Sequence, residues 1–215
     1  MSASTRAKIC GLRTPEAVRA AMDGGAGFVG FMFFDRSPRN ITLQEAARLA
    51  QPARGRLRIV AVIVDPDDAL VDEIARELRP DLIQLHGKET PARVHEVAAR
   101  SGAGVIKAIS VSGPEDLADA SAYAEAADHL MFDAKLPPGA DRPGGGGAPF
   151  DWSILSGRRF ARPWFLAGGL DPWNVAEALR VTGAPLVDVS SGVERGPGLK
   201  DPALIRAFLE QVGRA

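Results

Sequence analysis

Residues 58–86, RIVAVIVDPDDALVDEIARELRPDLIQLH, hold the pattern on which the fold turns. An apolar run (58–64) meets a helix-start signal at Asp65 and Pro66, an amphipathic segment follows, and a second apolar run (82–86) closes the unit. Neither run alternates in the manner of a half-exposed strand, so both read as strands covered on two faces. Two such strands with a helix between them form a parallel pair, which needs a crossover of this length.

Working outward, the same kind of run recurs at 7–10 (AKIC), 27–34 (GFVGFMFF), 104–110 (GVIKAIS), 129–134 (HLMFDA), 164–168 (WFLAG) and 186–190 (LVDVS). Helix starts are signalled at Thr14 with Pro15 and Glu16, at Thr42, at Thr90 with Pro91, at Asp171 with Pro172 and at Asp201 with Pro202. The first helix carries its apolar stripe on Val18, Ala21 and Met22. Eight strands, each trailed by a helix within 215 residues, predict an α/β fold, a single (β/α)8 TIM barrel spanning residues 1–215. The alternative is an open doubly wound sheet, and no GxGxxG fingerprint follows the first strand. One stretch breaks the rhythm: residues 135–149, KLPPGADRPGGGGAP, read as a long active-site loop after the sixth strand.

Composition narrows the function classes. With 26 basic and 27 acidic residues and no long run of either sign, the chain advertises no face for nucleic acid. No apolar run reaches the length of a membrane span, and the N-terminal residues have no signal-peptide core, which predicts a cytoplasmic protein. A single cysteine excludes an internal disulfide and fits a reducing compartment.

The strands should be almost wholly apolar, so their polar residues are informative. Alternation puts Lys8 with Cys10 on one face, Gln84 with His86, and Asp188 with Ser190, while Ile9, Ile83, Leu85, Val187 and Val189 face the helices. Asp133 likewise turns inward, because Leu130 and Phe132 take the helix side. Cys10 and Asp133 thus stand at C-terminal strand ends, where barrel active sites lie. Lys8 is placed to stabilise a Cys10 thiolate. The competing role for Asp133 is a structural pair with Lys8 or Lys107. His86 reads as a hydrogen-bonded structural residue rather than a base.

Glycines gather after the late strands. Gly144 and Gly145 open the GGGG run, Gly168 and Gly169 follow strand seven, and Ser190, Ser191 and Gly192 follow strand eight. Loops after strands seven and eight are a recurrent phosphate site in this fold, where backbone N–H groups reach an oxyanion unobstructed. After strand two, Arg36 and Arg39 flank Ser37 and Pro38, and a guanidinium there could clamp a carboxylate through two parallel hydrogen bonds. The expected partner is a small phosphorylated molecule.

Eight strings occur in order along nearly the whole chain: KICGL, PEAV, GFMFFDRSPRNIT, LIQLHGKE, FDAK, GGGGAPFDW, LAGGLDPWNV and VDVSSGVERGPGLKD. Together they resemble the phosphoribosylanthranilate isomerase family of tryptophan biosynthesis. The resemblance implies a cofactor-free and metal-free Amadori rearrangement of N-(5-phosphoribosyl)anthranilate, by a monomer or homodimer. It also implies Cys10 as general base, Asp133 as general acid, Arg39 as holder of the anthranilate carboxylate, and the glycine loops as phosphate site. The chain departs from the family at Gly146, where Ser or Thr is usual, and at Ala148 and Pro149. The related histidine-pathway isomerase has an aspartate where Cys10 stands. A metal-dependent pentose-phosphate epimerase would need several strand-end His and Asp ligands, whereas His95 falls on a helix and His129 begins its strand. A non-catalytic phospholigand-binding barrel would have no need of an inward acid and thiol.

Overall fold

The computed structural model describes residues 5–135 and 150–215. Loop residues 136–149, with Gly144 and Gly145, lie outside the described residues. The eight barrel strands are β1 (Arg6–Cys10), β2 (Phe28–Phe33), β3 (Arg58–Ile63), β4 (Leu82–Leu85), β5 (Gly104–Val111), β6 (His129–Ala134), β7 (Trp164–Leu166) and β8 (Leu186–Val189). They pair in parallel in that order, and β8 closes on β1 with Lys8 opposite Asp188. The closed ring excludes the open doubly wound alternative.

The helices are α1 (Pro15–Asp23), α2 (Leu43–Ala50), α3 (Asp68–Glu77), α4 (Pro91–Ser101), α5 (Val175–Thr182) and α6 (Pro202–Arg214). Thr14, Thr42, Thr90 and Asp201 cap theirs as predicted, each accepting from a backbone N–H of the first turn. Two starts differ from the sequence reading. Asp67, not Asp65, caps α3, because Asp65 adopts a left-handed backbone (φ 44) and its carboxylate accepts from Lys88 N at 2.6 Å. Asp171 folds a tight turn by accepting from Trp173 N and Asn174 N, so α5 starts only at Val175. Nor does every strand precede an α-helix: short 3-10 helices at Pro114–Ser121 and Trp152–Leu155 follow β5 and β6. No helix among the described residues is long and apolar enough to cross a membrane.

Alternation divides the apolar residues into two separate cores. Outside the ring, Ile9, Val29, Ile83, Phe132 and Val187 pack against the helices. Inside it, Phe28, Val60, Leu82, Ile106, Met131 and Phe165 fill the lower barrel, with the rings of Phe28 and Phe165 edge to face at 5.2 Å. The barrel is therefore packed below, where Arg6, Arg58 and His129 lie against the ring of Phe28, while Lys8, Cys10, Gln84, Asp133 and Asp188 stand above.

Lys107 corrects one expectation. It pairs not with Asp133 but with Glu89 on the loop after β4, Nζ to Oε2 at 2.7 Å, and both side chains are almost wholly buried. Glu89 also accepts from Asp65 N and Gly87 N, tying the loops after β3 and β4 together. Glu89→Ala should lower the unfolding free energy by about 3–5 kcal/mol in urea melts, since it strands a buried ammonium. Glu177→Ala, breaking the exposed pair with Arg180, should leave the urea midpoint almost unmoved by comparison.

Candidate active site

The upper end of the ring opens into a cavity lined by Cys10 from β1, Gln84 from β4, His86 just beyond it, Asp133 from β6 and Asp188 from β8. Arg39, from the loop after β2, closes one side. The structure thus brings together the two groups picked out by strand parity, on strands three places apart around the ring.

Cys10 rests on the most deeply buried charge of the site. Lys8, fully excluded from water, donates Nζ to Asp188 Oδ1 at 2.8 Å. Burial alone would push its pKa down, but the Asp188 carboxylate and the neighbouring Cys10 outweigh that and hold it above the ordinary lysine value. The ammonium therefore stays charged directly beneath the thiol. Gly30 on β2 leaves the room: a methyl group there would come within 3.2 Å of the Cys10 Sγ and the Lys8 Nζ alike. For the thiol itself burial is the largest influence and pushes its pKa up, Lys8 opposes this, and Asp188 pushes it up again. The expectation that Lys8 lowers the thiol is met in sign but not in outcome, because dehydration of the sulfur dominates.

Asp133 has partners other than the lysines considered for it. His86 Nε2 stands 3.0 Å from Asp133 Oδ2, Ala134 N donates to Oδ1 at 2.9 Å, and Gln84 Nε2 lies 3.0 Å from His86 Nδ1. His86 is thus hydrogen-bonded on both ring nitrogens, as its sequence reading supposed.

Arg39 is no solvated loop charge. It is buried, and its Nε and Nη2 donate to the two carboxylate oxygens of Glu194 at 2.7 and 2.9 Å. Glu194 lies on β9 (Glu194–Gly196), which forms a hairpin with β10 (Leu199–Lys200), and Lys200 Nζ reaches the same carboxylate at 2.6 Å. Two cations around one anion leave this buried cluster with one net positive charge. Burial is the main cause that lowers the Lys200 pKa, to about 8, with Glu194 pulling the other way. In Glu194 the opposite holds: burial would raise the pKa, and the two cations overcome it.

Sequence reading missed Glu194 and Lys200. The available signal was the Gly196-Pro197-Gly198 turn between them, which folds a hairpin and returns Lys200 to the side of Glu194. Gly198 also packs where a side chain would meet Pro38 O at 2.3 Å, seating the hairpin on the loop that carries Arg39.

Gly168, Gly169, Ser190 and Ser191 also line the cavity. Gly168 and Gly169 have φ of 84 and 69, and a Cβ on Gly168 would strike Ala134 N at 2.4 Å. Gly192 does not line the cavity. A methyl group there would lie 1.9 Å from Leu170 O, so this glycine lets the loops after β7 and β8 touch. Lys200 Nζ donates to Ser190 O at 2.9 Å and fixes the second loop.

Comparison with known proteins agrees with this geometry. The family model of N-(5'phosphoribosyl)anthranilate (PRA) isomerase matches residues 7–211. A protein of Caulobacter vibrioides named N-(5'-phosphoribosyl)anthranilate isomerase is 66% identical over 210 residues, 97% of this chain and 96% of its own length. The crystal structure of phosphoribosyl anthranilate isomerase from Thermotoga maritima superposes with a TM-score of 0.88 at 34% identity, covering 98% of this chain and 100% of that one. A further isomerase structure, in complex with reduced 1-(o-carboxyphenylamino)-1-deoxyribulose 5-phosphate, gives a TM-score of 0.85 at 32% identity over 98% of this chain and 100% of that one. With a match over nearly its whole length and every barrel strand in place, the chain belongs to the N-(5'-phosphoribosyl)anthranilate isomerase family.

Proposed function

We propose that this barrel converts N-(5-phosphoribosyl)anthranilate into 1-(2-carboxyphenylamino)-1-deoxyribulose 5-phosphate, with Asp133 as general acid and Cys10 as general base. The observation that carries the assignment of roles is the placement of the Asp133 carboxyl and the Cys10 thiol, from strands three places apart, around a single mouth whose other carboxyl, Asp188, is taken up by Lys8. Asp133 gives its proton to the furanose ring oxygen, the C1–O bond breaks, and the lone pair of the anilino nitrogen forms the iminium. Cys10, as thiolate, then removes the proton from C2, and the C–H electrons flow into the iminium to give an enolamine. C1 gains a proton and the C2 hydroxyl loses one, which yields the ketone and restores both groups. The iminium is the electron sink, so one acid and one base suffice.

The electrostatics suit that sequence. Dehydration of Cys10 makes its thiolate scarce but a strong base once formed, and Lys8 beneath it keeps that form within reach. Arg39, with Glu194 occupying its Nε and Nη2, retains net positive surroundings through Lys200 and receives the anthranilate carboxylate. The phosphate lies at the other end, against the backbone of Gly168, Gly169, Ser190 and Ser191, with Gly192 holding their loops in contact.

Loss of phosphoribosylanthranilate fluorescence measures turnover directly. Cys10→Ala and Asp133→Asn should each lower kcat by about a hundredfold or more, with the fold intact by circular dichroism; wild-type turnover in either would remove its assigned role. Alkylation of Cys10 by iodoacetamide as a function of pH reads the thiolate, the reactive form. Its midpoint in the free protein should lie above the ordinary thiol value, since burial raises it. In Lys8→Met it should move higher still, because the cation that opposed burial is gone, and an unmoved midpoint would refute the part given to Lys8.

A further inference from the structure

Gln84 is a polar side chain of the cavity to which the reaction as described gives no work. Gln84 is only 1% exposed, lines the mouth, and has a buried amide oxygen, Oε1, with no hydrogen-bond partner. Its other half, Nε2, stands 3.0 Å from His86 Nδ1. A buried carbonyl left without a donor is unfavourable, so something else must hold the amide in this orientation.

The answer lies two atoms further along. Gln84 Nε2 stands 3.0 Å from His86 Nδ1 and can only donate, so Nδ1 is the ring nitrogen with the lone pair. The ring hydrogen is therefore on Nε2, 3.0 Å from Asp133 Oδ2, an oxygen that can accept it while the carboxyl keeps its own proton, and the Nδ1 lone pair is left toward Gln84. Only a donor can stand opposite that lone pair. The Gln84 NH2 meets this need, whereas the reversed amide would set oxygen against nitrogen lone pair.

We propose that Gln84 is a positioning residue for the rearrangement: by donating to Nδ1 it locks His86 as the Nε2–H tautomer, so that His86 can donate to Asp133 but cannot take its proton. The inference rests on the reading of Asp133 as the acid. Asp133 keeps its carboxyl oriented by two donors, His86 Nε2–H on Oδ2 and Ala134 N–H on Oδ1, and the proton it carries is available to the sugar ring oxygen and not to the imidazole. With the other tautomer, the Asp133 hydroxyl would donate to Nε2, and the proton would be held on the wrong side. A misplaced histidine tautomer of this kind costs the Ser-His-Asp enzymes orders of magnitude in rate. The other charged groups around the mouth already have partners: Lys8 with Asp188, Arg39 and Lys200 with Glu194, and Lys135, beyond β6, with Asp116. Cys10 is the remaining titratable group lining it, on β1.

Three histidines make the ring directly observable by 15N NMR, with the His86 signals assigned by their loss in His86→Asn. In the wild type the neutral ring is expected to be the Nε2–H tautomer, and an Nδ1–H ring would overturn the proposal without any Gln84 variant being needed. In Gln84→Glu the acceptor-only carboxylate should turn the ring to Nδ1–H and lower kcat by about a hundredfold with KM changed by less than about threefold. Gln84→Met, which supplies neither donor nor acceptor, should give a mixed tautomer and a smaller loss of kcat. Wild-type tautomer and kcat in both variants, beside an inactive Asp133→Asn, would refute the role of Gln84 alone. Wild-type turnover in Asp133→Asn would refute the acid assignment, and the inference with it.

Discussion

A charged amine sealed inside the barrel is the constraint around which the site is arranged. Lys8 sits at the seam where β8 closes on β1, opposite Asp188, and its charge is sustained by that carboxylate. Removing two charges from water is unfavourable by several kcal/mol each, and their mutual attraction offsets this only with good geometry. The pair is thus a poor way to gain stability and a good way to place a field. Cys10 is the group in that field, with Gly30 leaving space for thiol and ammonium to lie side by side.

The same economy of charge recurs at the mouth. Arg39, Glu194 and Lys200 form a second buried cluster, and Lys107 with Glu89 a third behind the loops after β4 and β5. The second and third each anchor a loop to a strand or to another loop. The βα loops carry the site, yet a loop without an apolar core of its own needs polar ties to be rigid. The tie through Glu194 has a second consequence: a net positive charge in a low-dielectric wall attracts an anionic ligand more strongly than the same charge in water.

Much of this was legible in the residues. Strand parity is strict in a closed barrel, since a one-residue slip would turn every inward side chain outward, and so Lys8, Cys10, Gln84, Asp133 and Asp188 could be placed from alternation alone. Partnership was not legible in that way. Parity says that Lys8 faces inward, but its pairing with Asp188 and not Asp133 follows from which strand is its neighbour in the ring. Lys107 was the instructive case: on its strand it sits on the helix side, level with Leu130, and only the loop bearing Glu89 shows why a cation is tolerated there. Glu194 and Lys200 escaped because they lie in a hairpin outside the β/α rhythm. The net rise in the Cys10 pKa depends on the balance of dehydration against a neighbouring charge, which spacing does not reveal.

The central claim is a division of labour, an acid that opens the sugar and a base that takes the C2 proton. It is tested most directly with substrate deuterated at ribose C2, in single turnovers of two variants. In Cys10→Ser the hydroxyl is far harder to ionise than the thiol, which makes C–H cleavage the slow step, so deuterium should slow the reaction by a full primary isotope effect. In Asp133→Asn ring opening becomes slow and precedes C–H cleavage, so the isotope effect should disappear. The reverse pattern, with deuterium felt in Asp133→Asn and absent in Cys10→Ser, would contradict the account.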